Sequence, residues 1–193
     1  MNLQVRIVTD MTAEPVELSE VKNFCKVTGT QDDALITLLT TSARKALEKY
    51  TSSSFGEKTI HAYWQQIPGD WIVELPYGPI ISVDAIYKID EQGTEEALTL
   101  NTDYYVIGDQ DFKIKLEQFW STGYTVSRSL RVEYTAGYGN SATEPLPDEL
   151  RMAIMKQVST DYNFRDNIQD AGSTALANNA KSLAAPYRKK VWF

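Results

Sequence analysis

The chain has 193 residues, of which 42% are hydrophobic and 23% charged, and its formal net charge is −7. This length and composition predict one globular domain with its own hydrophobic core. The acidic balance excludes general binding to nucleic acid phosphates, because that mode requires clustered lysine and arginine. A single cysteine, Cys25, excludes an intramolecular disulfide and a thiolate metal cluster within one chain.

The charge is unevenly distributed along the chain. Residues 171–193 contain four basic residues and no acid, so they carry +4 and the remaining residues carry −11. No apolar run approaches the ~20 residues that span a bilayer, and the N-terminal sequence lacks the apolar stretch of a signal peptide. We therefore expect a protein made and used in a cytoplasm, with an acidic body and a basic, aromatic end that docks on something else.

An extended arm and a first helix are predicted for the N-terminal part. Residues 1–15 alternate apolar and polar side chains and predict the arm. Apolar residues then recur at helical spacing, which predicts a helix over about 17–28 that ends at Gly29. The apolar positions of this helix are Leu18, Val21, Phe24 and Cys25.

A second helix is predicted over about 31–50. Thr30 can cap its first turn, and two aspartates follow at the positive end of the helix dipole. Its apolar residues recur at intervals of three and four, which predicts a single buried stripe. That stripe comprises Leu35, Leu38, Leu39, Ala43, Ala46, Leu47 and Tyr50.

From about residue 57 to residue 136 the hydrophobic period changes from helical to two. Segments rich in β-branched and aromatic residues alternate with turns that contain proline, glycine and aspartate. We predict one antiparallel β-sheet unit inserted between helices. Its strands are predicted at Lys58–Gln66, Trp71–Leu75, Ser82–Ile89, Glu96–Leu100, Tyr104–Ile107, Phe112–Leu116 and Arg128–Thr135.

A third helix is predicted over about 147–165, because Pro147 suits a first helical turn and acids follow it. Its apolar face comprises Leu150, Ala153, Ile154, Gln157, Val158 and Tyr162. Small polar residues up to Ser182 predict a linker. The fold class is therefore α+β: a small helical bundle of three main helices with an inserted antiparallel sheet. Residues 1–170 form the body, and residues 171–193 form the linker and an extended C-terminal tail.

Several segments, in this order, carry a resemblance to a known family. They are Glu14-Pro15-Val16-Glu17-Leu18-Ser19-Glu20, Asp32-Asp33-Ala34-Leu35-Ile36, Leu75-Pro76-Tyr77-Gly78-Pro79, Val132-Glu133-Tyr134-Thr135-Ala136-Gly137-Tyr138-Gly139, Leu146-Pro147-Asp148-Glu149-Leu150 and Leu183-Ala184-Ala185-Pro186-Tyr187-Arg188. The set resembles the head-to-tail connector (adaptor) proteins of long-tailed bacteriophages and gene transfer particles. Glu17 departs from the Ser or Thr that such sequences often have as the cap of the first helix.

The resemblance implies a structural protein of the virion neck, between capsid and tail. Such a protein assembles as a homo-oligomeric ring, usually of twelve subunits, beneath the portal protein. The ring extends the channel through which double-stranded DNA passes, and it provides the docking surface for the next neck, stopper or tail protein. The family pattern contains no catalytic motif, so no active-site residue is carried over and no cofactor or membrane partner is expected.

Candidate chemical sites are weak. His61 is the sole histidine and lies in a predicted strand, so a triad would have to use it, and Cys25 lies on a helical apolar stripe. We interpret both as structural.

The turn 108–111 has two acids but lacks the spacing of a calcium loop. A two-carboxylate glycosidase is not excluded by the shortage of histidine. Gly137 and Gly139 are interpreted as a flexible exit from the sheet, since no phosphate-loop lysine follows. We predict no enzyme and no metal.

The C-terminal tail is the candidate partner-binding site. Tyr, Trp and Arg are the residue types that dominate protein interfaces, and a disordered tail is usually poor in aromatics. We predict that the tail docks on the portal, while packing on its own domain and disorder stay open as alternatives. The candidate docking residues are Tyr187, Arg188, Lys189, Lys190, Trp192 and Phe193.

A second hypothesis comes from another class of protein. The sheet unit could be a binding module of a phage baseplate or fibre that recognises a sugar or a host protein. This hypothesis predicts an exposed aromatic cluster in the loops of residues 57–136, and it gives the tail no role.

Overall fold

The computed structural model describes residues 3–90, 92–108, 113–117, 130–139, 143–164 and 176–189. Within these residues the chain forms four α-helices, one short 3₁₀ helix and eight strands in antiparallel sheets, so the predicted α+β class is confirmed. The helices are α1 (Leu18–Cys25), α2 (Asp33–Thr51), α3 (Asp148–Asn163) and α4 (Asn178–Ala184), and the 3₁₀ helix is Ala185–Tyr187. The strands are β1 (Leu3–Thr9), β2 (Lys58–Trp64), β3 (Ile72–Glu74), β4 (Ile80–Ile89), β5 (Glu95–Ala97), β6 (Tyr104–Ile107), β7 (Lys113–Leu116) and β8 (Leu130–Ala136).

Five strands form the larger sheet, in the order β1-β2-β8-β4-β5. Strand β2 alternates strictly between buried and half-buried side chains, as expected for a strand with one face in the core. The predicted N-terminal arm is extended, and it forms the edge of this sheet because β1 pairs antiparallel with β2. That pairing joins residues far apart in sequence, so alternation alone could not predict it.

The remaining strands form a second sheet, in the order β3-β7-β6. The sequence predicted one sheet unit, and this is wrong. Three short strands pair with one another, and the buried side chains of Val73, Ile114 and Leu116 join the core that Ile60 and Val132 form on the larger sheet. Two sheets therefore enclose one hydrophobic core, which lets short strands bury apolar area without lengthening the first sheet.

The helices form a separate layer with its own core. Helices α1, α2 and α3 contact one another, and α4 contacts α2 and α3. Three main helices were predicted, so α4 corrects the description of the bundle. Its residues were expected to be linker, but Ala180 and Ala184 are fully buried because their small side chains allow close approach. The predicted boundary at residue 170 lies outside the described residues.

The buried face of α2 differs from the predicted stripe. Ala43 and Leu47 are buried as expected, whereas Leu38 is 66% exposed. The buried residues of this helix are Ile36, Thr40, Ala43, Arg44, Leu47, Glu48 and Thr51. The helix is rotated relative to the apolar pattern because two charged residues, Arg44 and Glu48, have partners inside the structure. The helix also begins at Asp33, so the predicted cap at Thr30 is wrong.

Two of the segments that carry the family resemblance meet in the core. The buried Tyr134 hydroxyl donates a hydrogen bond to the Pro76 carbonyl at 2.8 Å. Gly137, with φ of 140°, lies so close to Gly56 that a β-carbon would come within 2.0 Å of the Gly56 carbonyl oxygen. Gly137 is therefore required for close packing of two backbones, not for flexibility as the sequence suggested.

Candidate functional site

An ionic network joins the helical layer to the larger sheet. The Arg44 guanidinium on α2 donates to Glu14 from Nε at 2.8 Å and from Nη2 at 3.2 Å. Its Nη1 donates to Glu48, one helical turn later, at 3.0 Å. Lys58, the first residue of β2, donates to the same Glu48 oxygen at 2.7 Å and lies 3.2 Å from Asp10. The network thus connects the segment after β1 with α2 and β2 through side chains.

The network is buried and electrostatically satisfied. The side chains of Arg44 and Lys58 are each 3% exposed, and that of Glu48 is 6% exposed. Burial lowers the pKa of Arg44, but the Glu14 bonds and the charge of Glu48 outweigh burial and raise it. Burial raises the pKa of Asp10, but the bond and charge of Lys58 outweigh burial and lower it. The partners of Arg44 and Asp10 thus favour the charged form of each, as expected for a joint held by ion pairs.

A cleft of about 850 Å³ opens beside this network. We call it the acidic cleft; its lining comes from residues 9–20, residues 55–59, residues 138–139 and residues 145–151. Five carboxylates and two cations line it, which gives a formal charge of −3. Its apolar lining includes Met11, Phe55 and Leu146. The cleft therefore combines apolar walls with an excess of negative charge.

The first helix begins on one wall of this cleft. Glu17 is its N-cap residue, and the Glu17 backbone N–H donates to the Glu20 carboxylate at 2.9 Å. Arg151 of α3 donates to the other Glu20 oxygen at 2.6 Å. The backbone bond, followed by the Arg151 bond and charge, lowers the pKa of Glu20 against a smaller effect of burial. The helix start is held in place although its cap is not Ser or Thr.

The described part of the tail packs on its own domain. The Tyr187 hydroxyl donates to Glu149 at 2.9 Å, and this bond raises the pKa of Tyr187. The Arg188 guanidinium lies 5.5 Å from the centre of the Tyr50 ring. The Lys189 backbone N–H donates to the Thr51 carbonyl at 2.9 Å. These three candidate docking residues therefore contact α2 and α3 of the same chain.

The other candidate docking residues, Lys190, Trp192 and Phe193, lie outside the described residues. Docking of the tail stays a prediction. The contacts of Tyr187, Arg188 and Lys189 support folding back for the segment up to residue 189, and they give the end of the tail a fixed starting point at the end of α2.

The residues considered for catalysis are not brought together. The His61 Nε2 atom lies 3.4 Å from Glu133 on the neighbouring strand of the sheet. Cys25 is at the end of α1, where burial raises the pKa of its thiol and thus disfavours a thiolate. Among the residues that the structure describes, neither has the nucleophile and base partners of a triad.

No group of three His, Cys, Asp or Glu side chains among the described residues could hold a metal ion. Most of the turn 108–111 lies outside those residues. None of the helices in the described ranges is both long and apolar enough to cross a membrane.

The sequence did not reveal the ionic network. Arg44 and Glu48 are spaced i, i+4, which is the only local signal, and exposed ion pairs on helix surfaces have the same spacing. The partners Asp10, Glu14 and Lys58 are distant in sequence from one or both of them. Only the fold, which brings Asp10, Glu14 and Lys58 to α2, distinguishes this buried network from a surface pair.

Comparison with known proteins bears on this arrangement directly. Residues 15–104 match the family model described as phage gp6-like head-tail connector protein. The resemblance to the head-to-tail connector family is confirmed. The matched residues run from the segment before α1 to the start of β6, so they include α1, α2, the Arg44–Glu48 pair and most of the sheet unit. A comparison with curated proteins gives no match.

Solved structures extend the match to almost the whole chain. A protein from the neck of an empty gene transfer agent particle, computed with C6 symmetry, aligns with a TM-score of 0.71 and 19% identity over 98% of this chain and 97% of that chain. A protein from the neck of a native particle, computed with C12 symmetry, aligns with a TM-score of 0.70 and 18% identity over the same shares. A chain of the native virion aligns with a TM-score of 0.68 and 18% identity, again over 98% and 97%. These alignments show that the chain shares the fold of these neck and virion proteins.

Proposed function

We propose that the protein is a structural component of a virion neck and assembles there as a closed ring beneath the portal. The observation that carries this proposal is the alignment of nearly the full chain with neck proteins of particles computed with sixfold and twelvefold symmetry. A ring forms when one surface of each subunit binds a different surface of the next and the rotation per contact closes. Twelve subunits would fit the usual connector arrangement.

The rigidity of the subunit supports this role. A ring closes only if each subunit keeps the same angle between its contact surfaces. Arg44, Glu48 and Lys58 fix the helical layer on the sheet through buried, charge-assisted hydrogen bonds. The close approach of Gly137 to Gly56 holds the same end of β2, since Gly56 lies two residues before Lys58.

The charge of the body suits a conduit for DNA. Residues outside 171–193 carry −11 in total. A wall that repels phosphates lets a duplex slide, whereas clustered lysine and arginine would hold it. We propose that acidic side chains outnumber basic ones along the lumen of the ring. We also propose that the end of the tail docks on the portal and that another face receives the next neck or tail protein.

Complementation of a particle that lacks this protein tests the proposal. Cells that produce the particle without the protein should accumulate filled heads and free tails, and the purified protein should restore joining of the two. Normal joining without the protein would contradict the proposal. The Arg44→Ala variant, which weakens the joint, should restore joining less well than the surface variant Lys45→Ala.

The alternative binding-module hypothesis has less support. Among the described residues of the insert, the large hydrophobic side chains that are exposed are Leu100, Tyr105 and Ile107. They lie on or beside the β6 edge of the smaller sheet, and they include one aromatic ring. One exposed tyrosine in the described part of the insert is not the aromatic cluster that carbohydrate recognition by this sheet would require.

A further inference from the structure

The exposed apolar side chains of the described residues are concentrated on two surfaces of the β-sheets. Eight large hydrophobic side chains are exposed in this part of the chain, and five of them belong to these surfaces. One group is Ile7 and Val8 at the end of β1, and the other is Leu100, Tyr105 and Ile107 on or beside β6. Large apolar side chains that are grouped at a surface indicate contact with another protein.

The first group borders the acidic cleft. Thr9, which follows Val8, lines the cleft, and so does Glu17. The Glu17 side chain is exposed and accepts a hydrogen bond from the Ser19 hydroxyl at 3.3 Å, but no cation in the described ranges forms an ion pair with it. Arg6 points to the other face of the sheet from Ile7, because side chains alternate along a strand. We call Ile7, Val8 and Glu17 the β1 surface.

The second group has a basic neighbour. Tyr105 is exposed on the outer face of the smaller sheet, and the antiparallel register places Lys115 of β7 opposite it. Lys115 is exposed, and no carboxylate in the described part of the chain forms an ion pair with it. The adjacent Lys113 differs, since it forms an ion pair with Glu74 at 2.6 Å. We call the following residues the β6 surface: Leu100, Tyr105, Ile107 and Lys115.

The two surfaces lie on different sides of the subunit. Strand β1 is one edge of the larger sheet and β5 is the other, so about four strand spacings, or roughly 19 Å, separate them. Residues 98–103 lead from β5 into β6 through a compact turn. In this turn the Leu98 N–H donates to the Ile86 carbonyl on β4, and the Asn101 N–H donates to the Tyr104 carbonyl, each at 2.8 Å. The β6 surface therefore begins on the β5 side of the sheets, away from β1.

We propose that the β6 surface of one copy docks on the β1 surface of the next copy. This inference rests on the proposed function, because the ring supplies the second copy. The apolar side chains of the two surfaces contact each other across this interface, and Lys115 lies beside Glu17 at the acidic cleft. Two unlike surfaces on different sides of a subunit give a head-to-tail contact, which is the kind of contact that generates a ring.

The charges favour this pairing over contacts between like surfaces. A contact of two β1 surfaces would bring two acidic clefts together, and a contact of two β6 surfaces would bring Lys115 against its own copy. Like charges that face each other across an interface cost several kcal/mol, so charge selects the orientation of a contact more than its strength. The strength comes from the apolar side chains, among which Tyr105 is of a type that dominates interface energies.

Charge reversal tests the contact in particles that lack the protein and are complemented with variants. Lys115→Glu and Glu17→Lys should each reduce the joining of heads and tails about tenfold or more, since like charges then face each other. The double variant restores opposite charges and should recover most of the joining. Lys49→Glu is the control, because Lys49 is exposed on α2 outside both surfaces, and it should join normally. Circular dichroism and the melting temperature confirm that each variant is folded.

The outcomes separate this interface from the proposed function. A wild-type protein that fails to restore joining would contradict the function itself. Normal joining by both single variants, or no recovery in the double variant while the wild type joins, would overturn the interface and leave the function in place.

Cross-linking identifies the molecules that meet. In a Cys25→Ser background, which removes the only natural cysteine, each chain carries Glu17→Cys and Lys115→Cys. A short bismaleimide added to joined particles should link successive copies into a ladder of multimers on a denaturing gel, because every copy contributes one cysteine to each side. Leu38→Cys with Lys115→Cys is the control and should give no ladder, since Leu38 is exposed on α2, outside both surfaces. Dimers from either single-cysteine variant, or monomers alone from the double variant, would overturn the proposal.

Discussion

The guanidinium of Arg44 lies 3.0 Å from the carboxylate of Glu48, one helical turn away, and both side chains are almost completely buried. An i, i+4 pair on a helix is usually a surface feature worth a few tenths of a kcal/mol. Here the pair also binds Glu14, Asp10 and Lys58, so it joins α2 to the segment after β1 and to the start of β2. A helix that buries two charges does so only where every charge has a partner.

Removal of Arg44 should therefore destabilise the protein strongly. Arg44→Ala leaves Glu48 and Glu14 with fewer partners in a buried site, and we expect the free energy of unfolding to fall by about 3–5 kcal/mol. Lys45→Ala is the matched control, because Lys45 is the next residue and its side chain is 60% exposed; its effect should stay within about 0.5 kcal/mol. Urea denaturation followed by circular dichroism measures both. Equal effects would contradict a structural role for the network.

The contact between Gly137 and Gly56 predicts a steric effect. Gly137→Ala puts a β-carbon within 2.0 Å of a backbone oxygen and at a φ that side chains rarely adopt. We expect a loss of about 3 kcal/mol or more, because overpacking against backbone cannot be relieved by a rotamer change. Gly69→Ala is the control, since no atom lies within 4 Å of its added β-carbon. A Gly137→Ala protein with the same melting temperature as the wild type would refute the close approach of the two backbones.

The carboxyl groups of Glu20 and Asp161 should change the free energy of unfolding in opposite directions as the pH falls. The backbone bond from Glu17 and the bond from Arg151 lower the pKa of Glu20, so its contribution is present above the unfolded-state pKa and is lost as the pH falls through the folded-state value. Burial raises the pKa of Asp161 against the bond from Gln157, so its charged form costs stability at neutral pH, and acidification removes that cost.

Two substitutions measure these contributions. Glu20→Gln should lower stability at about pH 7 and flatten its decline towards about pH 3, whereas Asp161→Asn should raise stability at about pH 7 and steepen the decline. Unfolding in urea at a series of pH values gives both curves. The opposite roles given to Glu20 and Asp161 would be contradicted if both variants changed the loss of stability at low pH in the same direction.

The acidic body predicts weak binding to duplex DNA. Fluorescence anisotropy with a labelled duplex should show little affinity at physiological salt, because a body of charge −11 repels phosphates. A variant in which Arg188, Lys189 and Lys190 are replaced by glutamine is the control for the basic end. Nanomolar binding that weakens steeply with salt would count against a conduit that lets DNA slide.

Local pattern predicted much of this fold. The alternation of Lys58–Trp64 and the helical spacing of Leu150, Ile154 and Val158 depend on one buried face, and that face is visible in the sequence. The division into two sheets and the pairing of β1 with β2 depend on contacts distant in sequence, which alternation does not encode. Helix α4 was mistaken for linker because Asn, Ala and Ser are common in both, and its stability comes from packing on α3.

The candidate site was predicted less completely. The composition of Tyr187, Arg188 and Lys189 indicated an interface, and these residues do form one, but with their own domain. The acidic cleft could not be predicted, because its lining comes from three separate parts of the chain. The charge of the cleft is the sum of acidic and basic residues that show no distinctive sequence pattern individually.

Cryo-electron microscopy of the intact particle tests the central claim most directly. The account predicts a closed ring of this fold in the neck, between the capsid vertex and the tail, with the helices and both sheets of each subunit fitting the density. Density for the fold at the baseplate or fibres, or a neck that is complete without this protein, would contradict the account.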